Sequence, residues 1–162
     1  PFEAVLDSYL DPGTFLPQVF KQTLRTKDKE TVKEVSYDQK NGVMRIADVK
    51  RTIFPETYEP LSALYKLRGM DLNSVPVFDL NINTNQKNYA FTGTINKEEL
   101  RLKNETVNIF RLKGKIFRRD KNPYHQSHLE IVFLDNPRKT PLSIKVFASG
   151  ALLTVRLTDT RL

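Results

Sequence analysis

The chain has 162 residues, 39% of them hydrophobic and 28% charged, with a net charge of +7 and no cysteine. Such a composition can fill the core of one ordinary domain and is not that of a disordered segment. The missing thiols exclude disulfide frameworks, thiolate zinc sites and cysteine nucleophiles, and no run reaches the roughly 20 apolar residues that a membrane-spanning helix requires.

Turn signals recur at short intervals: Asp11-Pro12-Gly13, Lys27-Asp28-Lys29, Asn41-Gly42, Asn85-Gln86, Lys103-Asn104, Asp135-Asn136-Pro137 and Ser149-Gly150. Short apolar segments lie between them, the pattern of an all-β sandwich or barrel. One segment differs. From Pro60 to Arg68 the apolar residues Leu61, Leu64 and Tyr65 recur at helical spacing, with Leu67 nearby. Pro60 suits a first helical position, and Gly69 suits the left-handed residue that closes a helix.

Strand phase is plain further on. Tyr89, Phe91, Gly93 and Ile95 alternate with Ala90, Thr92 and Thr94; Phe110, Leu112 and Ile116 alternate with Arg111, Lys113 and Lys115. Leu129 to Leu134 is apolar on both faces except for Glu130, which predicts a central strand covered on both sides. The last hairpin alternates Leu142, Ile144 and Val146 with Ser143 and Lys145. Its return strand alternates Leu153, Val155 and Leu157 with Thr154, Arg156 and Thr158. A period of two places the first set of each strand against a core and the second in water.

The succession Asp11-Pro12-Gly13-Thr14-Phe15-Leu16-Pro17, Glu59-Pro60-Leu61-Ser62-Ala63-Leu64-Tyr65-Lys66-Leu67-Arg68, a basic strand, Leu129 to Asp135, Thr140-Pro141-Leu142 and a glycine-turn hairpin resembles family 3108 of the domains of unknown function. The resemblance implies a mainly β fold: an antiparallel, strongly curved sheet or half-barrel of about nine or ten strands with one short helix at about 60–68. It also implies export to the periplasm or outer envelope. The family's usual opening strands, with a Gly-Glu-x-Leu-x-Tyr motif, have no counterpart here. Residues 1–162 are therefore expected to form a single β domain that is incomplete at its N-terminus.

Candidate sites are few. His125 and His128, with Asp120, Glu130 and Asp135 nearby, are too poorly spaced on a loop and strand to predict a metal site. No Gly-x-Ser-x-Gly elbow and no phosphate-cradling glycine motif occurs, so neither an enzyme nor a cofactor is expected. Glu98 and Glu99 point to opposite strand faces and cannot act together. An inward Glu99 needs a cation, and the family resemblance implies Arg68 as its structural partner. If the curved sheet holds a lipid, another apolar ligand or a segment of an envelope protein, Tyr65, Phe78, Phe91 and Phe110 line it by size and strand phase. The alternative is a basic surface, Lys113, Lys115, Arg118, Arg119 and Lys121, docking on an anionic membrane or polyanion. The charge is too dispersed with Asp and Glu to favour nucleic acid.

Overall fold

A computed structural model describes residues 2–102, 105–119, 126–148 and 150–156. Among these the protein is mainly β with one helix. In chain order the elements are β1 (Glu3–Leu10), β2 (Pro17–Arg25), β3 (Glu30–Asp38), β4 (Val43–Ile46), β5 (Val49–Thr52), β6 (Thr57–Tyr58), α1 (Pro60–Gly69), β7 (Val77–Thr84), β8 (Lys87–Leu102), β9 (Glu105–Arg118), β10 (Ser127–Leu134), β11 (Pro141–Ala148) and β12 (Ala151–Arg156). Strands β1 to β5 form an antiparallel meander in sequence order. The second sheet, ordered β12-β11-β10-β9-β8-β7-β6, is strongly curled like half a barrel. The twelve described strands exceed the nine or ten expected, because short pieces such as the two-residue β6, which pairs in parallel with β7, carry no periodic signal.

The chain divides into two compact units, Pro1–Leu67 with Leu80–Asn88, and Arg68–Asp79 with Tyr89–Leu162. In the first, Val35 and Tyr37 of β3 are buried while the alternating Glu34 and Ser36 face water. Val35 lies opposite Phe20, and Tyr37 opposite Met44, so one face of the meander carries the core of Val35, Tyr37, Met44 and Ile53. The outer strand β5 is exposed throughout, and its Lys50 and Arg51 discourage pairing at that edge.

The helix begins at the expected proline, but its buried face is Ser62, Ala63 and Leu67, and Tyr65 is 45% exposed. The reason lies in its first turn. Glu59 is fully buried and takes the N-cap position. Its carboxylate accepts from the N–H of Leu61 at 2.8 Å, the N–H of Ser62 at 2.6 Å and the hydroxyl of Ser8 at 2.6 Å. Ser62 replies by accepting from the Glu59 N–H at 2.8 Å. This is a capping box with Glu and Ser in exchanged positions, and it turns a polar pair inward. Nor does Gly69 close the helix in a left-handed conformation: the described glycines with positive φ are Gly42 and Gly150.

The second unit bears out the strand phases of β9 and β10, and that of β8 except at Ala90, which is buried although it alternates with Thr92 and Thr94. Phe91, Ile95, Phe110 and Leu112 are buried, and Ile131, Val132 and Phe133 are buried in succession, as a strand covered on both faces requires. Opposite each other in the ladder stand Gly93 and Gly114. The edge of the Phe78 ring fills the space that side chains there would occupy. Phe78 also meets Phe91 edge to face, ring centres 4.7 Å apart.

Candidate binding face

Register aligns residues across the second unit into rows. Ile95, Leu112, Ile131, Ile144 and Val155 are successive ladder partners and share one face. The first three are buried, Ile144 is half-buried and Val155 is 55% exposed. The adjacent row runs Gly93, Gly114, Leu129, Val146 and Leu153, and ends with Leu153 62% exposed. Both rows remain apolar from end to end while their cover falls away towards β12. This corrects the expectation for the last hairpin. Leu153 and Val155 do share the face of Ile144 and Val146, but that side is open at β12, the last strand of the described sheet, while Leu157 lies outside the described residues.

On the opposite face the corresponding rows are mostly polar and basic. One row is Thr92, Lys115, His128, Phe147 and Leu152; the next is Thr94, Lys113, Glu130, Lys145 and Thr154. A shallow hollow of about 300 Å³ lies among Lys113, His128, Glu130, Lys145, Phe147 and Leu152. Beside it, Arg111 holds Glu98 at 2.7 Å and Glu130 at 3.2 Å, and Lys145 holds Glu130 at 2.9 Å. The hydrogen bond from Lys145, with the charge of Arg111, keeps the Glu130 carboxyl below its usual range despite some desolvation. A carboxylate depressed in the folded state stabilises above its unfolded pKa, and the gain disappears as pH falls through the folded value. Stability should therefore decline below about pH 4, and Glu130→Gln should flatten that acid limb by about 0.5–1 kcal/mol in a melting series across pH. Asp11, Asp38 and Asp71, lowered chiefly by hydrogen bonds from Thr14, Asn41 and Ser74 respectively, add to the same trend.

The other sequence-predicted residues scatter. Phe78, Phe91 and Phe110 are 5%, 3% and 1% exposed, packed within the second unit; Tyr65 lies on the helix, half exposed, in the first. Arg68 donates to the carbonyl of Arg138 at 2.8 Å. The β8 carboxylate that meets an arginine is Glu98, and Glu99 is exposed. In the basic run, Lys113 and Lys115 share a face, whereas Arg118 falls on the other by strand alternation. Arg119 pairs with Asp79 at 3.1 Å; Lys121 and His125 lie outside the described residues. No group of three or more His, Asp or Glu among the described residues could hold a metal ion. No helix there is long and apolar enough to cross a membrane.

Three features escaped the sequence reading. Glu59 was legible only as Glu-x-x-Ser ahead of a helix. The apolar pair Phe147 and Leu152 occupies positions out of phase with the core and so drew no notice. A hollow of about 220 Å³ in the first unit, among Phe20, Val35, Tyr37, Met44, Pro60 and Asn83, could not be foreseen at all. Burial, and then the charge of Glu59, raises the Tyr37 phenol beside it well above its ordinary pKa.

A curled, mostly antiparallel sheet with an apolar face open along one edge places the chain among the mainly β proteins. The profile of the family of proteins of unknown function DUF3108 matches residues 1–157, and the chain belongs to that family. No curated protein and no solved structure matches it.

Proposed function

We propose that this is a non-enzymatic protein of the periplasm or envelope that holds an apolar ligand, or an apolar partner segment, against the curled sheet. One observation carries the reading: two ladder rows stay apolar across five strands while exposure rises from 1% at Leu112 to 55% at Val155. Apolar surface left in water at the end of a continuous core favours an apolar occupant by about 25 cal/mol per Å² covered. Glu98 and Glu130 are engaged in ion pairs and Glu59 caps the helix. Location in the envelope rests on the likeness of the landmark order to exported proteins.

Native mass spectrometry of the purified protein, with lipid extraction of the same sample, should find a bound amphiphile. Ile144→Trp, at the half-buried mouth of the row, should reduce its occupancy on the order of tenfold while the fold persists. An empty protein, or occupancy indifferent to that substitution, removes the reading. Fractionation of cells producing the full-length gene product tests the location, and recovery in the cytosol alone would refute it.

A further inference from the structure

The β11–β12 hairpin ends in Phe147-Ala148-Ser149-Gly150-Ala151-Leu152-Leu153, seven residues without a charge. The register makes Phe147 and Leu152 partners on the basic face, and places Leu153 on the other face opposite Val146. Phe147 is 49% exposed, Leu152 64% and Leu153 62%. The hairpin end is thus apolar on both of its sides. A ligand under the curled sheet, or a strand laid on one face, would cover Leu153 and leave Phe147 and Leu152 in water. A medium that surrounds the hairpin covers both.

Charge names the medium. On the side of Phe147 and Leu152 stand Lys113, Lys115 and Lys145, with Lys115 in the same ladder row as that pair. Lys145 shares Glu130 with Arg111, whereas Lys113 and Lys115 have no carboxylate within ion-pair distance among the described residues. Apolar side chains at a hairpin end with lysines two strands to the side on the same face match the acyl boundary and phosphate layer of an anionic bilayer. We infer that the β11–β12 hairpin end is a membrane-docking site for anionic lipid surfaces. Phe147, Leu152 and Leu153 enter the interface, and Lys113 and Lys115 meet the phosphates. The docking does not depend on the apolar ligand proposed above.

Cosedimentation with vesicles tests it. The protein should bind phosphatidylcholine vesicles containing about a third phosphatidylglycerol, bind neutral phosphatidylcholine vesicles weakly, and be released by salt. The double substitution Leu152→Asp with Leu153→Asp, at exposed positions, should lower the affinity on the order of tenfold or more, and Lys113→Glu with Lys115→Glu should abolish the preference for anionic vesicles. The chain has no cysteine, so Leu152→Cys provides a unique site for an environment-sensitive dye. Its emission should shift to the blue on anionic vesicles, and a dye at Lys29→Cys, in the exposed β2–β3 turn, should not shift. The dye reports on insertion even if the double substitution disturbs the sheet. Equal binding to neutral and anionic vesicles, an unshifted Leu152→Cys dye, or vesicle binding that survives both pairs of substitutions overturns the inference. So does binding only to an oligonucleotide or a protein.

Discussion

Glu59→Ala should destabilise the first unit by about 3 kcal/mol, the sum of two orphaned backbone donors and one orphaned hydroxyl at about 1 kcal/mol or more each. Each donor is within 2.8 Å of the carboxylate, and Glu59 itself has no exposed surface, so water cannot readily take its place. The loss is larger than that of an ordinary surface cap because Ser8 belongs to β1. The side chain therefore joins the first turn of α1 to a strand 51 residues earlier in the chain. Glu59→Gln should recover part of the loss, since one oxygen remains to accept while the new amide group faces a donor. Denaturant unfolding followed by circular dichroism would measure both. A change below about 0.5 kcal/mol for Glu59→Ala would show that the cap contributes nothing special.

Gly93→Ala should be as damaging in the second unit. A methyl group there would lie 2.2 Å from the carbonyl oxygen of Lys113, 2.6 Å from the Cα of Gly114 and 2.8 Å from the Phe78 ring. The first two contacts are with backbone, so relief means parting β8 from β9 in the middle of their ladder. The expected cost is about 3 kcal/mol or more, at the upper end for overpacking. Phe78→Ala tests the cause: it empties the space above the glycines, at about 3–5 kcal/mol by itself. If the ring alone forbade a side chain, Gly93→Ala would become harmless in that background. The backbone contacts predict that most of the penalty persists. Additive behaviour in the double-mutant cycle supports them, and full rescue would contradict them.

These two sites differ in how far the residues themselves announced them. Proline at 60 is a local signal, and the helix started where it pointed. That Glu59 would be buried and bound to Ser8 depended on the path of β1, which no local pattern specifies. Glycines at 93 and 114 were visible as members of two alternating strands. Their opposition required the register of β8 against β9, and register is a property of pairs. The hairpin at the end of the chain makes the same point from the other direction. Its alternation and its pairing as a hairpin were correctly legible, yet the expected burial of Leu153 and Val155 failed. Period two says which residues share a face and says nothing about whether anything lies on that face.

The amino-acid order on its own determined a mainly β protein, the start of its helix, the phase of β8 to β12 and the family. Those depend on neighbours along the chain: side-chain alternation, turn chemistry and the spacing of landmarks. Only the tertiary structure decided that Glu98, rather than Glu99, meets an arginine, that Phe78, Phe91 and Phe110 are core while Tyr65 is half exposed, and that the apolar rows open at β12. Those depend on which strands become partners and which strand ends the sheet, and so on contacts between residues far apart in the chain.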